Sequence, residues 1–140
     1  YDGMVVTEYI DERYPHPPLM PSDPTTRAQA RVMMSRLRRD WLDAVQACVT
    51  TGTRPDKKLS KSLWDGLLAM SNHFAQQKYA LGDDISLVDS YLAVLLWRLP
   101  LLQLNLPHQA AKILEYGNHM FDRPAFQASL SEAEREIRAA

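Results

Sequence analysis

The sequence predicts an all-α fold, on three observations. Apolar residues recur at three-to-four spacing through Met33–Cys48 and again through Leu59–Phe74. Ser86 and Asp89, three apart, stand at the head of Leu87–Leu99, a stretch that is apolar on nearly every face. No two alternating apolar–polar runs are placed to pair as a hairpin, and nothing in the chain repeats.

The elements follow in order. Met4, Val5, Tyr9 and Ile10 lie at helical spacing between Asp2-Gly3 and the first prolines, which predicts a short amphipathic helix over Gly3–Arg13; the alternative is a strand through Met4–Thr7. Arg13–Pro24, RYPHPPLMPSDP, holds five of the nine prolines, and those at 15, 17 and 18 bar helix and predict extended or polyproline-like backbone. SDPTTRAQA then offers an N-cap and a proline near the first turn. A helix of about seven turns should follow, its stripe formed by Met33, Met34, Leu37, Trp41, Ala44, Val45 and Cys48 and its end marked by TTGT and Pro55. Arg36 with Asp40 and Arg39 with Asp43 are spaced for i,i+4 ion pairs on its outer faces. A third helix is expected from about Asp56 to Lys78, with Leu59, Leu63, Leu67, Met70 and Phe74 facing in. Gly66 inside it costs about 1 kcal/mol relative to alanine unless close packing needs the gap. At the next start the Ser86 hydroxyl is placed to accept from the N3 amide while the Asp89 carboxylate reaches back to the Ser86 amide, a capping box. The helix behind it, Leu87–Leu99, should be the buried centre of a bundle. Pro107–Phe121 makes a further helix with Ala111, Ile113, Leu114 and Met120, and RPAFQASLSEAEREIRAA reads as two short helices, the second capped at Ser131 with Glu134 at N3.

The totals bound the function. A chain of 140 residues suits one domain, and 16 basic against 17 acidic residues give no global field to steer it to nucleic acid or to acidic membranes. The longest apolar run, Tyr91–Leu102, is broken by Arg98 and Pro100 and is too short to span a bilayer. Cys48 is alone, can form no internal disulfide, and fits a reducing cytoplasm; on the apolar stripe it reads as an inert core thiol. Histidines 16, 73, 108 and 119 show no metal-ligand spacing, and no glycine-rich phosphate cradle is present. Gly82-Asp83-Asp84 reads as a turn with helix-start carboxylates rather than a cation site. Of Arg27, Arg31, Arg36, Arg38 and Arg39, the residues 27, 31 and 38 share roughly one face; with no aromatic side chains interleaved, a solvated face or an acidic protein partner is the better reading than nucleic acid. The residues alone support no reaction and call for no cofactor.

The order of helices, with a capped buried helix after YALGDDISLVD, resembles the C-terminal domain of the glutathione S-transferase fold. Ser86 and Asp89 match that family's capping box. Ile85 holds the N′ position of its hydrophobic staple, whereas N4 is Ser90, with Tyr91 placed to substitute. Within the fold, EYIDERYPHPPLMP, LLWRLP and FQASLSEAERE are similar to the stringent starvation family, transferase-like regulators that associate with bacterial RNA polymerase, and the similarity runs over essentially the whole chain. It implies three segments: 1–14, the last helix of a thioredoxin-like domain whose sheet lies outside this chain; 15–24, a proline-rich linker; and 25–140, the helical domain. It further implies a cytoplasmic, non-enzymatic regulator without a cofactor or a membrane, a homodimer through the transferase-type interface. Docking on the sigma subunit of RNA polymerase holoenzyme would use a surface block of Pro15, His16, Pro17, Pro18 and Leu19. Rigid proline backbone loses little entropy on binding, and its rings offer apolar contact area. Some relatives carry a tyrosine shortly after the block, where this chain has Asp23.

Two alternatives stay open. The block reads alternatively as a stiff spacer, with Leu19 and Met20 plugging the helical domain. The alternative reading of the protein is a glutathione-dependent transferase whose catalytic part lies outside this chain. In that family an acidic residue and a serine hold the γ-glutamyl group; they fall here on Asp2 and Gly3, and Gly3 has no hydroxyl. Either way, Met4, Val5, Tyr9 and Ile10 are expected to present an uncovered apolar face.

Overall fold

The computed structural model describes residues 2–139, so Tyr1 and Ala140, at the ends of the first and last predicted segments, lie outside it. Among the described residues there are eight α-helices and no strand, beyond an isolated bridge between Tyr79 and Gly82. Helix α1 (Gly3–Arg13) starts where the Asp2 carboxylate accepts from the Met4 amide at 2.8 Å. Val5, Tyr9 and Ile10 are exposed as predicted, the first at 68%. Met4 is not: it turns inward and packs against the core.

Helix α2 (Pro24–Leu37) has proline at its first position and an Asp23 cap on the Thr26 amide at 2.8 Å. The predicted seven-turn helix does not run through unbroken. Residues Arg38–Leu42 form a π-helical turn, in which the Asp43 amide reaches the Arg38 carbonyl, before α3 (Asp43–Thr51) ends at left-handed Gly52. The wider turn displaces the i,i+4 neighbours. Neither predicted pair, Arg36–Asp40 or Arg39–Asp43, forms; Arg39 bonds Asp40 instead at 2.9 Å. The same turn presents Trp41 to α4 (Lys57–Phe74), where its indole N–H donates to Ser62 Oγ at 3.0 Å and its ring lies over Gly66. Close packing does need that glycine. Helix α4 stops at Phe74 rather than Lys78, because the Gln76 and Gln77 amides both fold back onto the His73 carbonyl.

Helix α5 (Leu87–Arg98) is the centre, packed against α2 and α6 (Ala111–Phe121), while α4 also packs on α6. Leu92 and Leu95 are at most 1% exposed, and the only outlets of α5 among its middle turns are Ser90 and Val94, one turn apart. The predicted Pro107–Phe121 helix opens as a 3-10 turn at His108–Ala110, and Leu114 faces solvent while Tyr116 and Gly117 take the buried side. Helices α7 (Pro124–Ser129) and α8 (Glu132–Ala139) close the bundle. The Ser131 hydroxyl accepts from the Glu134 amide at 3.2 Å, and the Glu134 side chain goes to Arg98. No helix among the described residues is long and apolar enough to cross a membrane.

Candidate functional site

The proline segment is held through its backbone at Leu19 and Met20 and leaves the side chains of Pro15, His16, Pro17 and Pro18 exposed. Asp11, buried near the end of α1, accepts from the Leu19 amide at 2.6 Å and the Met20 amide at 2.9 Å. On the other side the Leu19 carbonyl accepts from the Leu87 amide at 3.0 Å, so this one peptide is held by α1 and by the first turn of α5 together. Met20 is 5% exposed and belongs to the core, and Leu19 is half-buried against it. Pro15, His16, Pro17 and Pro18 are all exposed. The segment bends repeatedly between Tyr14 and Asp23 rather than running as one extended rod, and its His16–Pro17 bond is cis.

The head of α5, which anchors that segment, is itself held by a buried carboxylate. Asp89 is fully buried and takes four hydrogen bonds: the Ser86 amide (2.8 Å) and hydroxyl (2.9 Å) on Oδ2, the Ala80 amide (2.9 Å) and the Tyr116 hydroxyl (2.6 Å) on Oδ1. Tyr116 lies stacked on Phe74 at 3.8 Å between ring centroids; burial, and then the charge of Asp89, push its hydroxyl above the ordinary tyrosine range, so it remains a donor. Residues 79–86 are thereby tied to α5 and α6, and with the proline block they enclose a groove of about 460 Å³. Pro17 and Pro18 line one side, Leu19 and Ile85 contribute apolar surface, and Asp83 and Asp84 lie on the turn.

The basic face proposed from the sequence is not a free surface. Arg31 grips Glu8 through two near-parallel bonds of 2.9 Å, Arg38 meets Asp2 at 2.6 Å, and Arg27 donates to the Pro21 carbonyl at 3.0 Å. The three arginines fasten α1 and the linker to α2. The Arg31 guanidinium holds the Glu8 carboxyl below its ordinary range, and Arg38, then the Met4 amide, do the same for Asp2. The one carboxylate that the transferase reading reserves for a γ-glutamyl group is therefore engaged in capping and pairing. Among the described residues no cluster of three or more His, Cys, Asp or Glu side chains is placed to hold a metal.

Comparison with known proteins decides the family. The model of the glutathione S-transferase C-terminal domain matches residues 54–124. The chain belongs to the glutathione S-transferase C-terminal domain family. Within it, the chain is 38% identical to a stringent starvation protein A homolog of Coxiella burnetii over 99% of its own length, and 36% identical to one of Pasteurella multocida over 93%. It spans 66% and 62% of those two proteins. A probable glutathione S-transferase of Glycine max is 28% identical over 73% of the chain and 46% of that protein. Among solved structures, a glutathione S-transferase of Methylobacillus flagellatus with glutathione bound superposes with a TM-score of 0.75 at 28% identity, over 91% of this chain and 68% of that one. A Tau class transferase of mango gives 0.74 at 17% identity over 99% and 69%, which speaks to the fold alone.

Placed in that family, the Ser86–Asp89 cap is a local signal that the sequence displays openly. Two residues of the site escaped it. Asp11 sits among charged neighbours in IDERY, and Tyr116 is one tyrosine among six. The available signal for Asp11 was its spacing, seven from Met4 and four from Thr7, which puts it on the inward side of α1.

Proposed function

We propose that this chain is the helical part of a non-catalytic regulator of the stringent starvation type, which docks on the sigma subunit of RNA polymerase holoenzyme through Pro15, His16, Pro17, Pro18 and Leu19. One observation carries the reading: the backbone at Leu19–Met20 is tied down from two helices while the four residues before it extend their side chains into solvent. A pure spacer needs the first feature and not the second. A preorganised, exposed block lowers the ordering cost of association. The relatives named as stringent starvation protein A homologs are more similar and cover more of the chain than the probable transferases, which supports a regulator over an enzyme. In this reading residues 1–14 are the last helix of a preceding domain, 15–24 the linker and 25–140 the helical domain. A second copy of the chain covers the shallow groove of about 260 Å³ at Met33, Trp41 and Met70, beside exposed Val32.

The glutathione-bound neighbour keeps a transferase reading in play, and Asp2, paired with Arg38 beside a glycine, opposes it. The test uses the full natural chain and purified holoenzyme, comparing wild type with a His16→Ala, Pro17→Ala, Pro18→Ala variant and recording thermal unfolding of each. Binding weakened at least about tenfold, or about 1.4 kcal/mol, with an unchanged melt is the expected result. Equal binding would reduce the block to a spacer. Glutathione titrated into the same protein should give no binding heat.

A further inference from the structure

Two acidic residues at α1 are matched, Glu8 by Arg31 and Asp2 by Arg38. Those around the proline groove are not. Among the described residues, Asp23, Asp83 and Asp84 enter no ion pair, although all three are exposed and border the same groove. Asp23 uses one oxygen, Oδ2, for both the amide and the hydroxyl of Thr26, as a helix cap. Arg27, one turn on, is drawn away to the Pro21 carbonyl. The groove thus combines apolar surface from Leu19 and Ile85 with three carboxylates, and among the described residues no lysine or arginine lines it. Its volume, about 460 Å³, lies within the ~300–1,000 Å³ of sites that enclose small ligands, but it is an open trough.

We infer that this groove receives a short segment of a protein partner in which an apolar side chain is flanked by lysine or arginine. The apolar side chain lies between the Pro18–Leu19 wall and Ile85, and the cations meet Asp83 and Asp84 on one side and Asp23 on the other. This rests on the reading of Pro15–Leu19 as a docking block and adds the chemistry of what docks there. An acidic segment or a phosphate backbone would meet like charge at the same places and be repelled. Carboxylates on an open rim act mainly on the rate of encounter, and salt weakens them, since the screening length falls from ~10 Å at 0.1 M to ~3 Å at 1 M. The neutral residue is shape-conserving at all three positions, and asparagine at 23 keeps an oxygen for the α2 cap.

The experiment measures association of the full natural chain with purified RNA polymerase holoenzyme from about 50 mM to about 500 mM salt. Three proteins are compared: wild type, an Asp83→Asn, Asp84→Asn double variant, and the His16→Ala, Pro17→Ala, Pro18→Ala variant. The inference expects the double variant to associate about 3–10-fold more slowly at low salt and to converge on wild type at high salt, with an unchanged melting curve. Adding Asp23→Asn should deepen the loss. If the proline variant loses binding while the double variant matches wild type at every salt concentration, the block reading stands and the basic-segment inference falls. Faster or tighter association on removing the acids would assign an acidic partner and overturn it outright. If wild type does not bind, both readings fall together.

Discussion

Gly66 is where α4 admits the indole of Trp41. A Cβ built there would stand 2.2 Å from Cζ2 and 2.4 Å from Cη2 of that ring, whose N–H is committed to Ser62. Gly66→Ala gains about 1 kcal/mol of helix propensity and incurs about 1–3 kcal/mol of overpacking. Urea unfolding should therefore show no gain and a net loss of up to about 2 kcal/mol; a clear stabilisation would mean that Trp41 is not seated on α4. Asp11 matters for a different reason. Asp11→Ala leaves the Leu19 and Met20 amides without an acceptor, at about 1–3 kcal/mol for each one that water cannot reach. Denaturant unfolding should show a loss of at least about 2 kcal/mol, with Asp11→Asn between it and wild type, since one amide oxygen can replace one carboxylate oxygen. At this scale the sequence was legible where the signal is local. Ser86 with Asp89 is a pattern of four residues, and Gly66 announces itself by being a poor helix former. Asp11 was not legible, because a search for apolar periodicity passes over a face composed of Met4, Thr7 and a carboxylate.

At the scale of elements, α1 is attached to the bundle chiefly by charge and by Asp11, while its apolar stripe of Val5, Tyr9 and Ile10 points away. The Glu8 and Asp2 carboxyls have folded-state values held below their ordinary ones by Arg31 and Arg38. Their contribution is therefore fully present above the ordinary carboxylate range and is lost as pH falls through the lowered values. Hydrogen-exchange protection of α1, corrected for intrinsic rates, should decline relative to that of α5 below about pH 4. Arg31→Ala should remove the share carried by Glu8 and leave that of Asp2 with Arg38, and equal behaviour of α1 and α5 down the pH range would contradict the account. The order of the helices was readable, and so were the caps at the heads of α2, α5 and α8, where Asp23, Ser86 with Asp89, and Ser131 stand; the number was not, because α2 and α3 read as one helix. The π turn at Arg38–Leu42 was not. Propensity is indifferent to one extra residue in a turn, and what sits at that turn is tertiary, Trp41 on Gly66 and Arg38 on Asp2. The failed Arg36–Asp40 and Arg39–Asp43 pairs are the same omission seen from the surface.

For the whole molecule, a net charge of −1 conceals a local unevenness: Arg31 and Arg38 are engaged by Glu8 and Asp2, while Asp23, Asp83 and Asp84 beside the proline block enter no ion pair. The block, Asp23 and the Asp83-Asp84 turn were each visible in the sequence, but that they border one groove was not, because about sixty residues separate them along the chain. The proposed second copy over Met33, Trp41 and Met70 predicts a dimer in sedimentation of the full natural chain, and Val32→Asp at its edge should yield monomer. The central claim is that the exposed block, rather than another face, meets the sigma subunit. A photo-crosslinking residue placed at position 16 of the full natural chain, mixed with holoenzyme and mapped by mass spectrometry, tests it directly. A control probe at exposed Lys61 marks a site outside the groove. The account predicts crosslinks from position 16 to the sigma subunit and none from position 61. Crosslinks from position 61 alone, or from position 16 to no polymerase subunit, would contradict it.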